Sequence, residues 1–332
     1  MSQQCLPSGF IRWTQSYLQD RTQRVVFNGS ESSHLIHATS GVPQGSVLAP
    51  YLFALHMGSL SPSSSSAKMI KYADDVTLLI PFRRGDSVAE LIDSETRNIK
   101  AWCAENGLKL NDNKTKALLF WKPRVIEELQ SSIPACVASA NILGVVFNSR
   151  LSWNDHITTI TKSASRRIYV LKQLKKIDCI TKKDLLQIYQ LFILSILEYN
   201  SALFTGLSVE NKNTLDKIIC GSNCDCHDFP SLSDRRSKQA LKVFNQIQNP
   251  HHILHHLVPH RLPRTNHFFI EFMRSELRTR SFIPFCCLWS NSHPNSWFFP
   301  FLSVRNFVLC VFLSYVNDDS FLFVIFDFHL KK

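Results

Sequence analysis

Two carboxylates stand side by side between two apolar runs: Met69–Ala73, then Asp74 and Asp75, then Val76–Ile80. Short β-prone runs separated by a two-residue polar step predict a tight β-hairpin. Adjacent carboxylates at its tip repel each other, while their flanks belong in a core. A hard divalent cation relieves that repulsion, because it prefers carboxylate oxygens. Phosphoryl-transfer enzymes use carboxylate-held metals in this way, clamping the attacking and leaving oxygens. An ordinary acidic turn has the same composition, so the pair needs its context.

That context alternates strand and helix. Residues 10–20 form an amphipathic pattern. Arg24–Asn28 and His34–Ala38 are β-rich runs predicted to pair around the loop Gly29–Ser33. Ser40–Gly45 is a turn cluster, and Ser46 is a candidate N-cap for an apolar helix reaching Leu60. Ser61–Ala67 is a loop by composition. A helix is predicted over 86–106, with Gly107 suited to its left-handed end. Thr115–Trp121 and Asn141–Phe147 read as strands. Ile157, Ile160, Ala164, Ile168, Leu171 and Leu174 recur at helical spacing within 154–176, and a second, very apolar helix is expected over 182–204.

Composition narrows the partners. The chain has 332 residues and is 45% hydrophobic, enough to bury a core rather than remain disordered. Its formal charge is +11. Residues 148–184 contain nine Lys or Arg and three Asp or Glu, so +6 of that excess sits in this stretch. A local basic stripe is what phosphate binding requires. Lys162, Arg166, Arg167, Lys172, Lys175 and Lys176 lie mostly opposite the apolar face; a solvated helix face would look similar. Ten scattered cysteines and no signal-peptide core point to a reducing intracellular location, nucleus or cytoplasm. The Phe-, Leu- and Val-rich stretch 297–330 is interrupted by Arg305, Asn306 and Asn317–Asp319, so no membrane span is expected. No strong oligomer signal is present.

Four stretches, SGVPQGSVLAPYLFALHMGSL, IKYADDVTLLI, NIKAWCAENGLKLNDNKTKALLF and ILGVVFNSRLSWNDHITTITKSASRRIYVLKQLKK, resemble the successive palm and thumb motifs of the reverse transcriptases of non-LTR retrotransposons. They fall in the family's order and approximate spacing. The resemblance covers residues 6 to about 204 well, and Phe229–Arg236, Pro263–Thr265 and Arg278–Pro284 are similar to pieces of the family's tail.

The resemblance implies an α+β fold: a partial right-hand palm over 1–147, a helical thumb over 148–227, a post-thumb tail over 228–290 and an apolar terminal segment over 291–332. It implies an RNA-directed DNA polymerase by family, with an RNA template, a DNA primer and deoxynucleoside triphosphates as partners and Mg²⁺ or Mn²⁺ as cofactor. Asp74 would bind the metal with Asp75 beside it. Pro43, Gln44 and Gly45 would border the incoming nucleotide, and Tyr72 the primer end. Lys114 would protonate or neutralise the leaving pyrophosphate; a surface lysine is the other reading. The basic residues from Lys162 to Lys176 would hold the template–primer backbone. Trp153 is expected in the core, and His156 as a polar residue at a helix start.

The family's fingers and its earlier palm strand, with an Asp in an F-x-D pattern, lie upstream of what residues 6–20 resemble. The chain is therefore expected to behave as an N-terminally truncated copy, inactive by itself, with an unpaired sheet edge where that strand belongs. The alternative is a non-enzymatic nucleic-acid-binding remnant using the basic helix. Cys220, Cys224, Cys226 and His227 invite a zinc reading, but their spacing departs from that of zinc knuckles and a second ligand pair is lacking. The histidines at 251, 252, 255, 256 and 260 allow helical pairs without a carboxylate partner.

Overall fold

The computed structural model of the chain describes residues 6–31, 34–38, 41–83, 85–120, 133, 136–220, 231–252, 254–270, 282–292 and the backbone of the strand Leu322–Lys331. Two compact units emerge. The first comprises Met1–Ala117, Glu127–Cys136 and Phe323–Lys332; the second comprises Leu118–Ile126 and Val137–Leu322. Both mix helix and small antiparallel sheets, as the α+β expectation requires.

In the first unit, helix α1 (Ser8–Leu18) precedes two nested ladders. Strand β1 (Thr22–Gln23) pairs with β4 (Ile36–His37), and β2 (Val26–Phe27) pairs with β3 (Ser30–Glu31). The expected hairpin loop Gly29–Ser33 is therefore corrected to a tighter turn at Asn28–Gly29. Both residues have positive φ, 49° and 76°, the backbone that an Asn-Gly step favours. Helix α2 (Ala49–Met57) starts three residues after Ser46, whose hydroxyl still accepts the Ala49 N–H at 3.1 Å.

Strands β5 (Lys68–Tyr72) and β6 (Asp75–Phe82) form the expected hairpin in antiparallel register, Tyr72 opposite Asp75 and Lys68 opposite Leu79. Val76, Leu78, Leu79, Ile80 and Phe82 are all buried, so β6 shows no polar face and reads as a central strand. Its far side is taken by β11 (Leu322–Lys331): the strand order is β5, β6, β11, β7, with β7 at Lys109–Leu110. This corrects the expected unpaired edge. The apolar terminal run supplies a ladder partner for β6, and Leu330 pairs with Leu110.

Helix α3 (Val88–Glu105) ends before Gly107 at φ 67°, as predicted. It also holds the serine-rich loop in place. The buried Glu95 carboxylate accepts the N–H groups of Ser63 at 3.0 Å and Ser64 at 2.9 Å, and the Asn98 amide donates to the Ser61 carbonyl at 2.8 Å. A loop read from composition alone is thus tethered through its backbone. After β7 comes β8 (Lys116–Phe120), buried over its last four residues.

In the second unit, the run 141–147 lies in a hairpin, β9 (Ser139–Ile142) and β10 (Val145–Asn148), turning at Leu143 and Gly144 with φ 49° and 84°. Helix α4 (Asn154–Leu174) buries Ile157, Ile160, Ala164, Ile168 and Leu171, five of the six positions read from the sequence; Leu174 is half-buried. The one helix expected over 182–204 is corrected to a broken series. Helix α5 (Lys182–Ile188) opens with a Thr181–Asp184 capping box, continues as a π-helix (Tyr189–Leu194) and ends as α6 (Ser195–Glu198). Asn200 then turns into the left-handed region at φ 53°, ahead of a 3₁₀ turn, Ser201–Phe204. Helices α7 (Val209–Cys220), α8 (Leu232–Ile247) and α9 (Phe282–Ser292) complete the unit.

Candidate nucleic-acid and metal site

The acidic tip differs from expectation by one residue. The two turn positions are Ala73 and Asp74, while Asp75 already belongs to β6 and pairs with Tyr72. Asp74 is exposed and Asp75 half-buried. Ala73 has φ 53°, a left-handed conformation that a Cβ disfavours. Among the described residues no group of three His, Cys, Asp or Glu converges as a metal cage.

The residue that fixes this hairpin was missed in the sequence. Lys71, just before Tyr72, donates through Nζ to the Met57 carbonyl at 2.7 Å and also to the Leu60 carbonyl. Met57 is the last residue of α2 and Leu60 lies in the turn just beyond it, so the ammonium stands at the helix end, where a cation meets the dipole. Burial pushes the Lys71 ammonium below its ordinary value. The strand that presents Asp74 is thereby tied to the helix that follows Gly41–Ser46. A lysine in a strand next to a Tyr-Ala-Asp-Asp step carries no such signal, because its partners are backbone carbonyls.

The GVPQG segment is an open turn. Gly41 and Gly45 have φ 82° and 80°, and Gln44 and Gly45 are exposed while Pro43 is half-buried. Nothing lies within 4 Å of where a Cβ on Gly45 would sit, so its glycine is explained by the backbone angle rather than by crowding. The Arg21 guanidinium donates to the Gly41 carbonyl at 2.7 Å. Lys114 is exposed in the turn before β8, its N–H bonded to the Asn111 carbonyl.

In the second unit all six basic residues of the predicted stripe are exposed. They are not equivalent. The Arg167 guanidinium donates to the Phe192 carbonyl at 2.7 Å, and the Lys176 ammonium to the Gln173 side chain at 3.1 Å. Lys162, Arg166, Tyr169 and Gln173 follow one another at steps of four, three and four, the line opposite the buried face.

His156 is a correction. It stands at the helix start, as read, but it is buried, and its Nδ1 accepts the Val146 N–H at 3.2 Å. Burial pushes its imidazole down to about 4. With Trp153 it packs against Phe204, at ring-centroid distances of 4.7 Å from His156 and 4.9 Å from Trp153, and Phe147 packs on Trp153 at 5.7 Å. Trp153 is half-buried in this cluster. The zinc reading falls on Cys224, Cys226 and His227, which lie outside the described residues, as does the stretch 293–321. His255–Leu257 is a 3₁₀ turn rather than the α-helical spacing that would pair the histidines. No helix among the described residues is long and apolar enough to cross a membrane.

Residues 2–147 match the family described as reverse transcriptase (RNA-dependent DNA polymerase). Those residues are a reverse transcriptase domain. Its relatives are polymerases of non-LTR retrotransposons. The chain is similar to the probable RNA-directed DNA polymerase from transposon BS of Drosophila melanogaster, 28% identical over 180 residues, covering 51% of this chain and 20% of that protein. It is also similar to the probable RNA-directed DNA polymerase from transposon X-element of the same organism, 25% identical over 276 residues, 76% of this chain and 29% of that one. The retrovirus-related Pol polyprotein from the type-1 retrotransposable element R1 of Nasonia vitripennis is 26% identical over 155 residues, 43% and 46% respectively. The chain thus spans less than half the length of each of these relatives. No solved structure matches it. The matched segment of the reverse transcriptase domain contains both the Asp74–Asp75 tip and the Gly41–Ser46 turn.

Proposed function

We propose that the first unit is part of a right-hand polymerase palm and that α4 begins a thumb, so that the chain belongs to an RNA-directed DNA polymerase acting with an RNA template, a DNA primer and deoxynucleoside triphosphates. Support comes above all from one observation: the two carboxylates of the matched domain sit at the tip of a hairpin whose second strand is buried from Val76 to Ile80 and at Phe82. Asp74 and Asp75 hold the divalent cation, Mg²⁺ or Mn²⁺, which supplies charge stabilisation to phosphoryl transfer when bound. Pro43, Gln44 and Gly45 border the nucleotide, Tyr72 borders the primer end, and Lys114 faces the pyrophosphate. Lys162, Arg166 and Lys172, with Lys175 and Lys176 beyond them, meet phosphates of the template–primer; Arg167 holds the surface together through Phe192. Phosphate contacts position without reading sequence, which is what a polymerase that copies any template needs. The remaining domain assignments, a thumb to 227, a tail to 290 and a terminal segment from 291, belong to this reading.

Two carboxylates hold one cation, whereas clamping both reacting oxygens takes a further ligand. The 332 residues alone are therefore expected to bind nucleic acid and not to extend a primer. Primer extension in Mg²⁺ is the test. Extension should appear when a fingers segment and an F-x-D palm strand precede the chain, and Asp74→Ala should then abolish it. Extension by the 332 residues alone overturns the inactivity, and activity that survives Asp74→Ala overturns the metal assignment. The second reading, a binding remnant without catalysis, is favoured by the exposed basic line of α4 and gains if the extended chain is also inactive.

A further inference from the structure

The line along α4 opposite its buried face is not purely basic. Tyr169 sits in its middle, between Arg166 and Gln173, and is 65% exposed; its neighbour Val170 is 55% exposed. The helix cannot bury Tyr169, because Ile157, Ile160, Ala164, Ile168 and Leu171 already commit the other side to the core. A second exposed apolar group lies on the π-helix that packs against α4. In the π-helix, Tyr189, Ile193 and Leu194 point inward while Leu191 and Phe192 remain 61% and 55% exposed. A π-helical turn is rare and concentrates at functional sites. The bond from Arg167 to the Phe192 carbonyl brings the two elements side by side. Tyr169 thus sits among cations on one surface of the second unit, and the only acidic residue of α4, Asp155, lies in its first turn.

We propose that this surface takes unpaired nucleobases, with Tyr169 as the stacking platform, while Lys162 and Arg166 meet the flanking phosphates. Aromatic rings set among cations are how sequence-tolerant single-strand binders work, since every base offers a π-face. Charge selects a polyanion, and the rings select one with exposed bases over a closed duplex. From Lys162 to Gln173 the line runs about 17 Å along the helix, room for a few nucleotides. The inference rests on the reading that α4 meets phosphate and adds a preference for single strands.

The two are separable with the full chain by fluorescence anisotropy, using labelled oligothymidylate, an abasic oligonucleotide of equal charge and a duplex, each over a salt series. Oligothymidylate should bind on the order of tenfold tighter than the abasic strand. Tyr169→Ala should erase that ratio and leave the salt slope unchanged; Tyr169→Trp should restore it. Arg166→Ala should weaken both strands alike and reduce the slope by about one. Equal affinity for the two strands in the wild type, or an unchanged ratio in Tyr169→Ala, overturns the stacking surface while leaving the phosphate reading intact. A flat salt dependence, or no binding to either strand, overturns the phosphate reading and the inference with it. Binding to phosphatidylserine–phosphatidylcholine vesicles that Tyr169→Ala weakens, with oligonucleotide binding untouched, assigns the surface to a membrane and overturns the inference.

Discussion

The two units solve the same problem in opposite ways. Each must display charge on an ordered backbone. The first unit displays two carboxylates on a hairpin whose strand β6 is sealed on both sides, by β5 from the same hairpin and by β11 from the far end of the chain. Its supports are charged groups turned onto backbone: Lys71 on carbonyls at and just past the end of α2, Glu95 on the amides of the serine loop. The second unit displays cations on a helix whose other side is ordinary apolar core, stapled to a neighbouring strand by one neutral imidazole. The acidic tip thus depends on a contact between residues some 240 positions apart in sequence, Val76–Phe82 and Leu322–Lys331, whereas the basic line depends on local helical periodicity. Display by a sheet costs long-range order; display by a helix does not.

Removing residues 322–331 is the largest expected break in that contrast. Strand β6 would lose a ladder partner along a strand with no polar face, and the first unit would lose most of a domain's stability, on the order of 5 kcal/mol. Hydrogen exchange should then show the amides of Val76–Phe82 unprotected and those of Asn154–Leu174 still slow. Protected β6 amides in the shortened chain would mean that β11 is dispensable, and that the two units are less different than their topology says.

Acid should act on the second unit. The folded imidazole of His156 is pushed down to about 4 from 6.5, so the native state prefers the neutral ring. Its contribution is complete above pH 6.5 and is lost as pH falls from there to about 4, because the unfolded chain takes up the proton first. The span corresponds to about 3 kcal/mol. The cause is visible in the geometry: Nδ1 accepts from Val146 and cannot do so once protonated. Urea unfolding monitored through the Trp153 cluster should weaken over that window, and His156→Gln should flatten the dependence. A wild-type curve that is flat between pH 6.5 and 4 would remove the staple from the account.

These two cases mark what the sequence made legible. Periodicity announced α4, because its burial pattern is written in steps of three and four. The hairpin at 69–80 was legible from its apolar runs, and the acidic tip from its neighbours. The partner of β6 was not, since an apolar terminal run of ordinary composition gives no clue to which strand it joins. The break of the 182–204 helix was hidden as well. Asn200 enters the left-handed region that its residue type tolerates, but no local signal marks the π-turn at Tyr189–Leu194, and the residues around the break, Leu197, Leu203 and Phe204, are buried as a helix interior would be. Lys71 and His156 were illegible for a shared reason: both act through main-chain groups, and a sequence shows side chains only.

The smallest expected effects come from the two hairpin turns, where the units differ by one methyl group. Ala73 in the first turn and Gly144 in the second both have positive φ, 53° and 84°. A left-handed alanine costs roughly 1 kcal/mol, and glycine returns part of that through its greater freedom when unfolded. Ala73→Gly should therefore raise the stability of the first unit by no more than a few tenths of a kcal/mol. At Gly144 the same exchange in reverse meets a wall: an added Cβ would lie 3.1 Å from Tyr199 Cε1. That ring is held by its hydroxyl, which donates to the Leu143 carbonyl at 2.7 Å, so it cannot simply step aside. Gly144→Ala should cost about 1–3 kcal/mol, strain and displaced ring together. Paired urea titrations measure both exchanges against the same wild type. A destabilised Ala73→Gly would show that the acidic tip is not strained by its alanine. A neutral Gly144→Ala would show that Tyr199 yields, and that the second turn is no more tightly built than the first.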